Sequence, residues 1–523
     1  MRPRLATPLA IVGTACRLPL APTPEALFTL GRTAGSGLTP APSTWAGLLA
    51  WTRPLLAGQV DPGELDWRLF RLPPAQAAQL HRMERVLLQT LADALKEAGY
   101  TPEQGPGARC AIYLGATGLG VDERIDHGLR LRSGELLGVL REAMGVRVDD
   151  PRLRAVAQQL DAHGAPVGSD SLSTTASISA GRLAGAFDTW GGHFAVDAGA
   201  ASGLAALRLA AQALQAGHCD VAVVGGLSPL VSPSTYLALE GRGWLAPEGL
   251  HVLDARSNGT VPAEGAVAVV LRRLDDAHRE GRAVHATLRA IAEASGPSHA
   301  VASIAKLVEQ ASRRAMESAG LEPDDVHHVE AQAPGVVVLE DEELFGLHAA
   351  FAARHESPVS VSSAASNVGF TQAASGLVSL VRAVESVRRG VALPIAGITS
   401  PRTADRLRLT LLCEERPLPL GAVVGVSSHA GGGLAYHALV GPEPTAKAPP
   451  PRPRRRRDDE KLAIIGVGAQ AAGAQGAESL WQNVLAKVDA IRDVAGHRFD
   501  PALYLAPMLP QGAVVPRLAG VAE

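Results

Sequence analysis

One stretch, Gly191 to Gly226, GGHFAVDAGAASGLAALRLAAQALQAGHCDVAVVGG, limits the folds open to this chain. It opens with a short apolar run, His193 to Val196, and passes Asp197 and the small residues Ala198 to Ser202. It then becomes a helix in which Leu204, Leu207 and Leu214 recur at helical spacing. Gly217 stands where a helix C-terminus favours a left-handed residue, and Val221 to Val224 reads as a buried strand. The order is strand, tight elbow, helix, strand. Such an elbow holds its central residue at a helix N-terminus, where partial positive charge and free N–H groups stabilise an anion. A cysteine there would be a thiolate-prone nucleophile. Ala200 stands in that place.

The bulk properties narrow the class. A chain of 523 residues with 46% apolar residues can fill a large core. No window approaches the 18 uninterrupted apolar residues of a membrane helix, so a soluble protein without a membrane partner is expected. A net charge of -3 gives no long-range field for nucleic acid. Cys16, Cys110, Cys219 and Cys413 lie far apart without C-x-x-C pairing, which disfavours zinc, iron–sulfur and disulfide scaffolds and fits a reduced cytoplasm. The opening MRPRLATPLAIVGTACRL has the outline of a signal peptide, but its apolar core recurs deep inside the chain.

That recurrence is an internal repeat. LAIVG at Leu9 to Gly13 returns as LAIIG at Leu462 to Gly466, and the same offset of 453 carries Ala21 onto Ala474, Glu25 onto Glu478, Leu27 onto Leu480 and Phe28 onto Trp481. LAIVG reads as a buried strand, followed by a helix from about Glu25. Leu80 to Tyr100 is an amphipathic helix with Leu80, Met83, Leu87, Leu91 and Leu95 on one face. Arg109 to Gly115, Leu288 to Ala292 and Val326 to Ala331 read as strands, and Ser303 to Gly320 as a helix. This alternation implies parallel sheets covered on both faces. Leu119 to Asp170 is polar and helix-interrupted, an expected elaboration at the mouth of the fold or at an interface between protomers. GPEPTAKAPPPRPRRRRDDEK, from Gly441, is a proline- and charge-rich linker; Arg454 to Arg457 is followed at once by acids, which speaks against a nucleic-acid patch.

The elbow resembles the V-D-T-A-C-S-S-S-L segment of β-ketoacyl synthases, the condensing enzymes of fatty-acid and polyketide assembly. Val196, Asp197, Ser202 and Leu204 match, and Ala200 occupies the nucleophile's place. LAIVG resembles the opening of ketosynthase domains, AGRLA at Ala180 to Ala184 the A-G-R-I-S run, and Leu253 to Ala266 the F-D-A-x-A-D-G-x-V-x-G-E-G-A loop. That loop retains Asp254, Gly259, Val261, Glu264 and Gly265, read as positional rather than chemical residues. FRLPPAQ, Phe70 to Gln76, and SGLAAL, Ser202 to Leu207, resemble the polyunsaturated fatty acid synthase or iterative type I polyketide synthase branch. The resemblance implies an α/β, thiolase-like, five-layer αβαβα fold with two duplicated halves. It divides the chain into a ketosynthase-like domain 1–441, with halves about 1–250 and 251–441, a linker 442–461, and the truncated start of a second ketosynthase at 462–523.

Condensation in the family needs a thiolate, two imidazoles and an oxyanion site. The V-E-A-H-G-T-G-T run corresponds to Val329 to Val336, VEAQAPGV, with Gln332 in place of the first histidine. K-S-N-I-G-H corresponds to Ala365 to Phe370, ASNVGF, with Ala365 in place of the lysine and Phe370 in place of the second histidine; Ser366, Asn367 and Gly369 are retained. In GVSSHAGGGLAYH the aromatic gate becomes Gly431, Gly432 and Gly433 remain, and His437 matches a histidine read as structural. A glutamine amide donates a hydrogen bond but exchanges no proton near neutral pH, and phenylalanine does neither.

The resemblance therefore implies a degenerate ketosynthase, similar to chain-length-factor domains that pair with an active ketosynthase and shape its acyl tunnel. No catalytic set is intact and no bound cofactor is expected; the family's substrates arrive on the phosphopantetheine of an acyl carrier protein. The expected partners are that carrier protein and an active ketosynthase domain or a second copy, joined through the strand at His193 to Val196. Two alternatives remain open. One is residual acyl-thioester transfer or hydrolysis, for which Ser202 is the hydroxyl near the elbow although the G-x-S-x-G pattern is absent. The other is a decaying gene fragment.

Overall fold

The computed structural model describes residues 8–42, 55–117, 133–147, 149–163, 176–228, 231–246, 248–297, 303–352, 357–402, 407–444, 463–493 and 518–520. The chain forms two compact units, one of residues 1–121 and 168–449, the other of 122–167 and 450–523. The basic run of the linker and residue Leu462 lie outside the described residues.

The larger unit is built on one eleven-stranded sheet with two topologically matched halves. The first half holds β1 (Leu9–Arg17), β2 (Cys110–Ala116), β3 (His193–Val196), β4 (Val221–Ser228) and β5 (Gly265–Arg273). The second holds β6 (Ala286–Ser295), β7 (Val326–Glu330), β8 (Val359–Ser362), β9 (Leu409–Leu411), β10 (Val423–Ala430) and β11 (Leu434–Gly441). Their spatial orders are β3-β2-β4-β5-β1 and β8-β7-β10-β11-β6, with β9 added outside β8. Ranked by position in its own half, each set runs 3-2-4-5-1, so the duplication is written in the topology. The halves meet where β1 pairs antiparallel with β6, Leu9 opposite Leu288 and Ile11 opposite Ala286. Because β5 completes the first set, the seam falls between Arg273 and Ala286, later than the expected boundary near 250.

Layering follows from strands that are apolar on both faces. In β1, Leu9 and Ile11 join one core cluster while Ala10 and Val12 join another; in β4, Ala222 and Val224 oppose Val221 and Val223 in the same way. Between the two sheet halves lie α4 (Ser202–Gln215) and α7 (Ser375–Arg389), and α1 (Pro24–Arg32) adds Leu27 to the same cluster. Outside the first half pack α2 (Arg82–Glu97) and α3 (Ala176–Phe187); outside the second pack α5 (Ser303–Ala319) and α6 (Val337–Phe351). Helices, sheet, helices, sheet, helices make the five expected layers. At Gly13 a side chain would meet the Ala94 carbonyl of α2 at 2.3 Å, so only glycine lets β1 lie this close to the outer layer.

The expectation of parallel sheets is corrected. Strands β3, β2 and β4 run parallel, as do β8, β7 and β10, but β5 and β1 in one half and β11 and β6 in the other are antiparallel to their neighbours. A strand buried on both faces has the same apolar run whichever way its neighbour points, so composition could not separate the cases. The tight Gly431–Gly433 connection between β10 and β11 leaves no length for a crossover and forces the antiparallel pair.

Two buried polar features tie the second half together. Glu330 on β7 and Arg382 on α7 are fully buried, with Arg382 Nε 3.2 Å from Glu330 Oε1. Arg382 also donates to Asn367 Oδ1, Ser362 Oγ and the Pro394 carbonyl, while His328 Nε2 stands 3.2 Å from Glu330 Oε1. On β11, His437 is buried with Nδ1 3.1 Å from Ser312 Oγ. The Ser312 proton goes to the Val308 carbonyl, so the imidazole Nδ1–H donates.

Burial pushes the His437 imidazole down to about 4, against the opposing pull of Glu343. The folded protein therefore binds fewer protons than the unfolded chain between its ordinary value near 6.5 and about 4. This contribution is fully present above pH 6.5 and is lost as pH falls toward 4, amounting to about 3 kcal/mol. His437→Gln is expected to flatten that part of the stability–pH curve, measured by urea unfolding at pH 4.5, 5.5 and 7; an unchanged slope would contradict the assignment.

The smaller unit contains helices Ser133–Met144, Pro151–His163 and Ala477–Leu485. The repeated LAIIG forms no strand over its described residues, and Ile464 and Ile465 are almost wholly exposed where their counterparts Ile11 and Val12 are buried. No helix among the described residues is long and apolar enough to cross a membrane.

Candidate functional site

The site assembles where parallel strands end, the usual place for ligand sites in such sheets. The elbow after β3, the loop after β7, the segment after β8 and the C-terminal end of β10 converge there.

At the elbow, Gly199 adopts φ +59°, and Ala201 precedes the first turn of α4. Asp197 accepts the Gly199 N–H at 3.0 Å. Ser202 is buried; its Oγ accepts the Ala198 N–H at 2.9 Å and donates to the Gly199 carbonyl at 2.6 Å. Its proton and one of its lone pairs are used to close the turn. Ala200 is half-buried, and its carbonyl accepts from the Ser375 hydroxyl at 3.2 Å. A side chain at Gly199 would meet the Ala430 Cβ at 3.2 Å, which sets the elbow against the end of β10.

Gln332 lies beside it. Its Oε1 accepts from the Ser428 hydroxyl at 2.7 Å and from the His429 N–H at 2.8 Å, and Ser428 Oγ stands 3.4 Å from the Ala200 carbonyl. Ser363 Oγ donates to the Gln332 carbonyl and accepts the Ala365 N–H. A chain of short contacts thus connects Ala200, Ser428, Gln332, Ser363 and Ala365. Phe370 is attached differently: its N–H donates to the Val261 carbonyl and its own carbonyl accepts the Ala263 N–H. Gly369, at φ +84°, makes this possible, because a side chain there would strike Ala263, Leu38 and Val261.

Gly431 to Gly433 form the β10–β11 turn. Gly433 takes φ +79° with its N–H on the Ala430 carbonyl, and a side chain there would meet the Gly296 carbonyl at 2.2 Å. Gly431 and Gly432 are exposed, and a Cβ on either would meet nothing within 4 Å. The rim of the site is open at these two residues.

Two participants escaped the sequence reading. Glu343 of α6 is buried and accepts the Gln332 and Ala333 N–H groups, both at 2.9 Å, which holds Ala333 at φ +34°. His429 Nε2 stands 3.5 Å from Glu343 Oε2. Burial alone would raise the Glu343 carboxyl, but His429 and the two N–H donors outweigh it and hold the group below the usual carboxylate range. In the sequence Glu343 is the last of four consecutive acids, Glu340 to Glu343, a run that reads as a solvated helix face. Its neighbour Glu340 is also buried, receiving the Leu253 and Gly335 N–H groups and the Ser257 hydroxyl; burial pushes it up to about 7 against Arg402.

The acids of the 253–266 loop are positional. Asp254 accepts the Thr399 and Ser400 N–H groups and Arg256; Glu264 accepts the Val60 and Val231 N–H groups and Arg82. The thiols lie elsewhere: Cys16 in β1, Cys110 in β2 and Cys219 before β4 are buried, and burial pushes each thiol up; Cys413 is exposed after β9. Among the described residues no cluster of histidine, cysteine or acidic groups could hold a metal ion.

Comparison with known proteins agrees with this architecture. The family profile described as "Beta-ketoacyl synthase, N-terminal domain" matches residues 6–277 and again 459–517, and "Beta-ketoacyl synthase, C-terminal domain" matches 285–399. Erythronolide synthase EryA3 of Saccharopolyspora erythraea is 29% identical over 86% of this chain, and polyketide synthase GfsE of Streptomyces halstedii is 29% identical over 85%. The chain spans only 13% and 11% of these relatives. The ketosynthase from module 6 of the bacillaene synthase of Bacillus subtilis 168 superposes with a TM-score of 0.69 at 23% identity, covering 83% of this chain and 72% of that one. The oxazolomycin ketosynthase domain OzmH KS7 of Streptomyces albus JA3453 does so with 0.68 at 24% identity, covering 84% and 76%.

Proposed function

The chain belongs to the β-ketoacyl synthase family, as a ketosynthase domain of the kind found in polyketide synthases, and from that premise we propose that it has given up condensation and pairs with an active ketosynthase whose acyl channel it shapes. In this reading residues 1–441 are the ketosynthase-like domain, 442–461 the linker and 462–523 the start of a second such domain; the second profile match supports that division. Acyl groups reach the complex on the phosphopantetheine of a carrier protein.

The observation that carries the reading is the state of the elbow. Its central position is Ala200, and the neighbouring hydroxyl, Ser202, is buried and spent on Ala198 and Gly199. A nucleophile must be free to lose its proton to a base, and among the described residues no titratable group hydrogen-bonds to Ser202. The thiolate and both proton-exchanging groups are gone together, yet the turn, the glycines and the buried framework persist.

For the pairing, β3 is an exposed strand at the edge of the sheet, with Phe194 and the nearby Trp190 open to solvent. An unpaired edge with apolar side chains favours strand addition by a partner. The test has two parts. Intact mass of the full chain after incubation with an acyl-pantetheine thioester is expected to stay unchanged; an adduct on Ser202 would restore the acyl-transfer reading. Co-expression with an active ketosynthase is expected to give a stable complex with an altered product length. Phe194→Asp is expected to dissociate it and return the product to the partner's own length.

A further inference from the structure

Three separate segments are fastened to one buried carboxyl group. Glu340, in the first turn of α6, is fully buried. Its Oε1 accepts the Leu253 N–H at 3.2 Å and the Gly335 N–H at 2.9 Å. Its Oε2 meets the Ser257 hydroxyl at 3.1 Å and the Arg402 guanidinium. Leu253 sits at φ +55°, a region unfavourable to leucine, and is pinned there by Glu340 on its N–H and by the Arg402 N–H on its carbonyl. Both loops serve the site: the one after β7 carries Gln332, and the 253–266 loop ends on the residues that hold Phe370.

The charges here do not balance without a proton. Arg402 lies between two carboxyl groups, with Nη2 on Glu340 Oε2 and Nε 3.4 Å from Asp341 Oδ1. The Arg402 side chain is 14% exposed, that of Asp341 31% and that of Glu340 not at all. One cation against two anions leaves a negative charge uncompensated in a poorly screened place, and the buried acid is the one that water helps least. Of the other charged groups nearby, Asp254 is taken by Arg256 and the Thr399 and Ser400 N–H groups. Glu343, one turn along α6, is taken by the Gln332 and Ala333 N–H groups and His429.

The Ser257 hydroxyl shows where a proton fits. Its oxygen is 2.8 Å from the Gly335 carbonyl and 3.1 Å from Glu340 Oε2, and it has one proton to give. With that proton on Gly335, the contact to Glu340 closes only when Glu340 is the donor. A relay then runs from Glu340 through Ser257 to Gly335, and Oε2 keeps a lone pair for Arg402. With Glu340 ionised, the serine proton turns to the carboxylate, and the Gly335 carbonyl retains the Gly259 N–H alone.

We propose that Glu340 is a proton-operated latch, which when protonated ties the 253–257 and 333–336 segments together through Ser257, and when ionised releases the Gly335 carbonyl and loosens the loop that carries Gln332. The latch is independent of whether the chain condenses or pairs. Burial pushes the Glu340 carboxyl up to about 7, which puts the changeover in the neutral range. The folded protein therefore binds more protons than the unfolded chain between the ordinary value of 4.5 and about 7. The latch's contribution to stability is fully present below pH 4.5 and is lost as pH rises through about 7.

The full chain is titrated from pH 5 to pH 9 by infrared difference spectroscopy, with hydrogen exchange of the two loops followed alongside and corrected for its intrinsic pH dependence. A protonated carboxyl band is expected to vanish with a midpoint near 7 and to be missing from Glu340→Gln, whose amide imitates the protonated acid. Exchange of peptides 250–259 and 331–338 is expected to rise roughly threefold or more across that midpoint in the unaltered chain, and to show no step in Glu340→Gln. Asp341→Asn keeps all four Glu340 donors in place and removes the second anion from Arg402, so a folded protein reports the charge balance directly. Its midpoint is expected to fall by about half a unit or more. A carboxyl band that survives in Glu340→Gln, a midpoint unmoved in Asp341→Asn, or loop exchange without a pH step in the unaltered chain would each overturn the proposal.

Discussion

Ala200→Cys is expected to gain a covalent acyl adduct from an acyl-pantetheine thioester and still to form no carbon–carbon bond. Position 200 is half-buried at the start of the fourteen-residue helix Ser202–Gln215, beside a turn that leaves it accessible. A helix N-terminus stabilises an anion by about 0.3–2 kcal/mol, which lowers a thiol from its ordinary value near ~8.5 by roughly a unit. Iodoacetamide at neutral pH should therefore alkylate the new thiol several times faster than the exposed Cys413, which serves as the internal reference. Condensation demands more. Gln332 cannot pass a proton, Phe370 cannot stabilise an enolate, and loss of such partners costs about 10²–10⁴-fold each in rate. Radiolabelled malonyl and acyl thioesters should yield acylated protein and no ketoacyl product. Product formation by the single variant, or an adduct on the unaltered protein, would show that chemistry survives here.

Glu330→Ala is expected to be the most destabilising single change in the larger unit. It strands the fully buried Arg382 guanidinium, and breaking a buried pair from one side costs about 3–5 kcal/mol, a large fraction of the ~5–15 kcal/mol that holds a domain folded. Replacing both partners, as in Glu330→Leu with Arg382→Met, should recover much of the loss, because no unpaired guanidinium is then left buried there. The pH dependence has a definite sign. Burial pushes the Glu330 carboxyl up, but Arg382, His328 and Ser362 outweigh it and hold the group below its ordinary value. Its contribution is present above the unfolded carboxylate value and is lost as pH falls through the lower folded one. Urea midpoints at pH 7 should separate the single from the double variant, and the gap between the unaltered chain and Glu330→Ala should shrink in acid as Glu330 takes up its proton. A single variant as stable as the unaltered chain would remove the network from the account of the fold.

The elbow was legible because its ingredients are local: an apolar run, small residues at the turn, a periodic helix and a glycine at its end all lie within Gly191 to Gly226, and Gly217 does adopt φ +74°. Asn367 and Gly369 are buried against backbone far away in the sequence. Strand direction was not legible, since a strand such as Gly265–Arg273, with Val267 and Val269 in one core cluster and Ala268 and Val270 in the other, buries both faces in either orientation. The Glu343–His429 pair was hidden for a different reason. An acid inside a run of four acids looks solvated until the fold shows which two, Glu340 and Glu343, turn inward to bind loop N–H groups, and that choice depends on residues brought from Leu253 and Gly335. The repeat at LAIIG shows the converse limit. At Leu9 to Gly13 the pattern makes a central strand flanked by two neighbours, while over the described residues 463–466 it makes no strand.

The position of the first strand has a consequence for how the protein is made. Leu9–Arg17 leaves the ribosome long before either of its partners: one is Ala286–Leu288, and the other, Ala266–Arg273, is paired from Leu9 to Arg273 across 264 positions. At about 5–20 residues per second the nascent chain carries this apolar ribbon unpaired for roughly 13–50 s. Through that interval it is a substrate for chaperones and for the matching ribbons of other nascent chains, so yield in the cell should depend on holdase capacity and translation speed more than on the final stability of the fold.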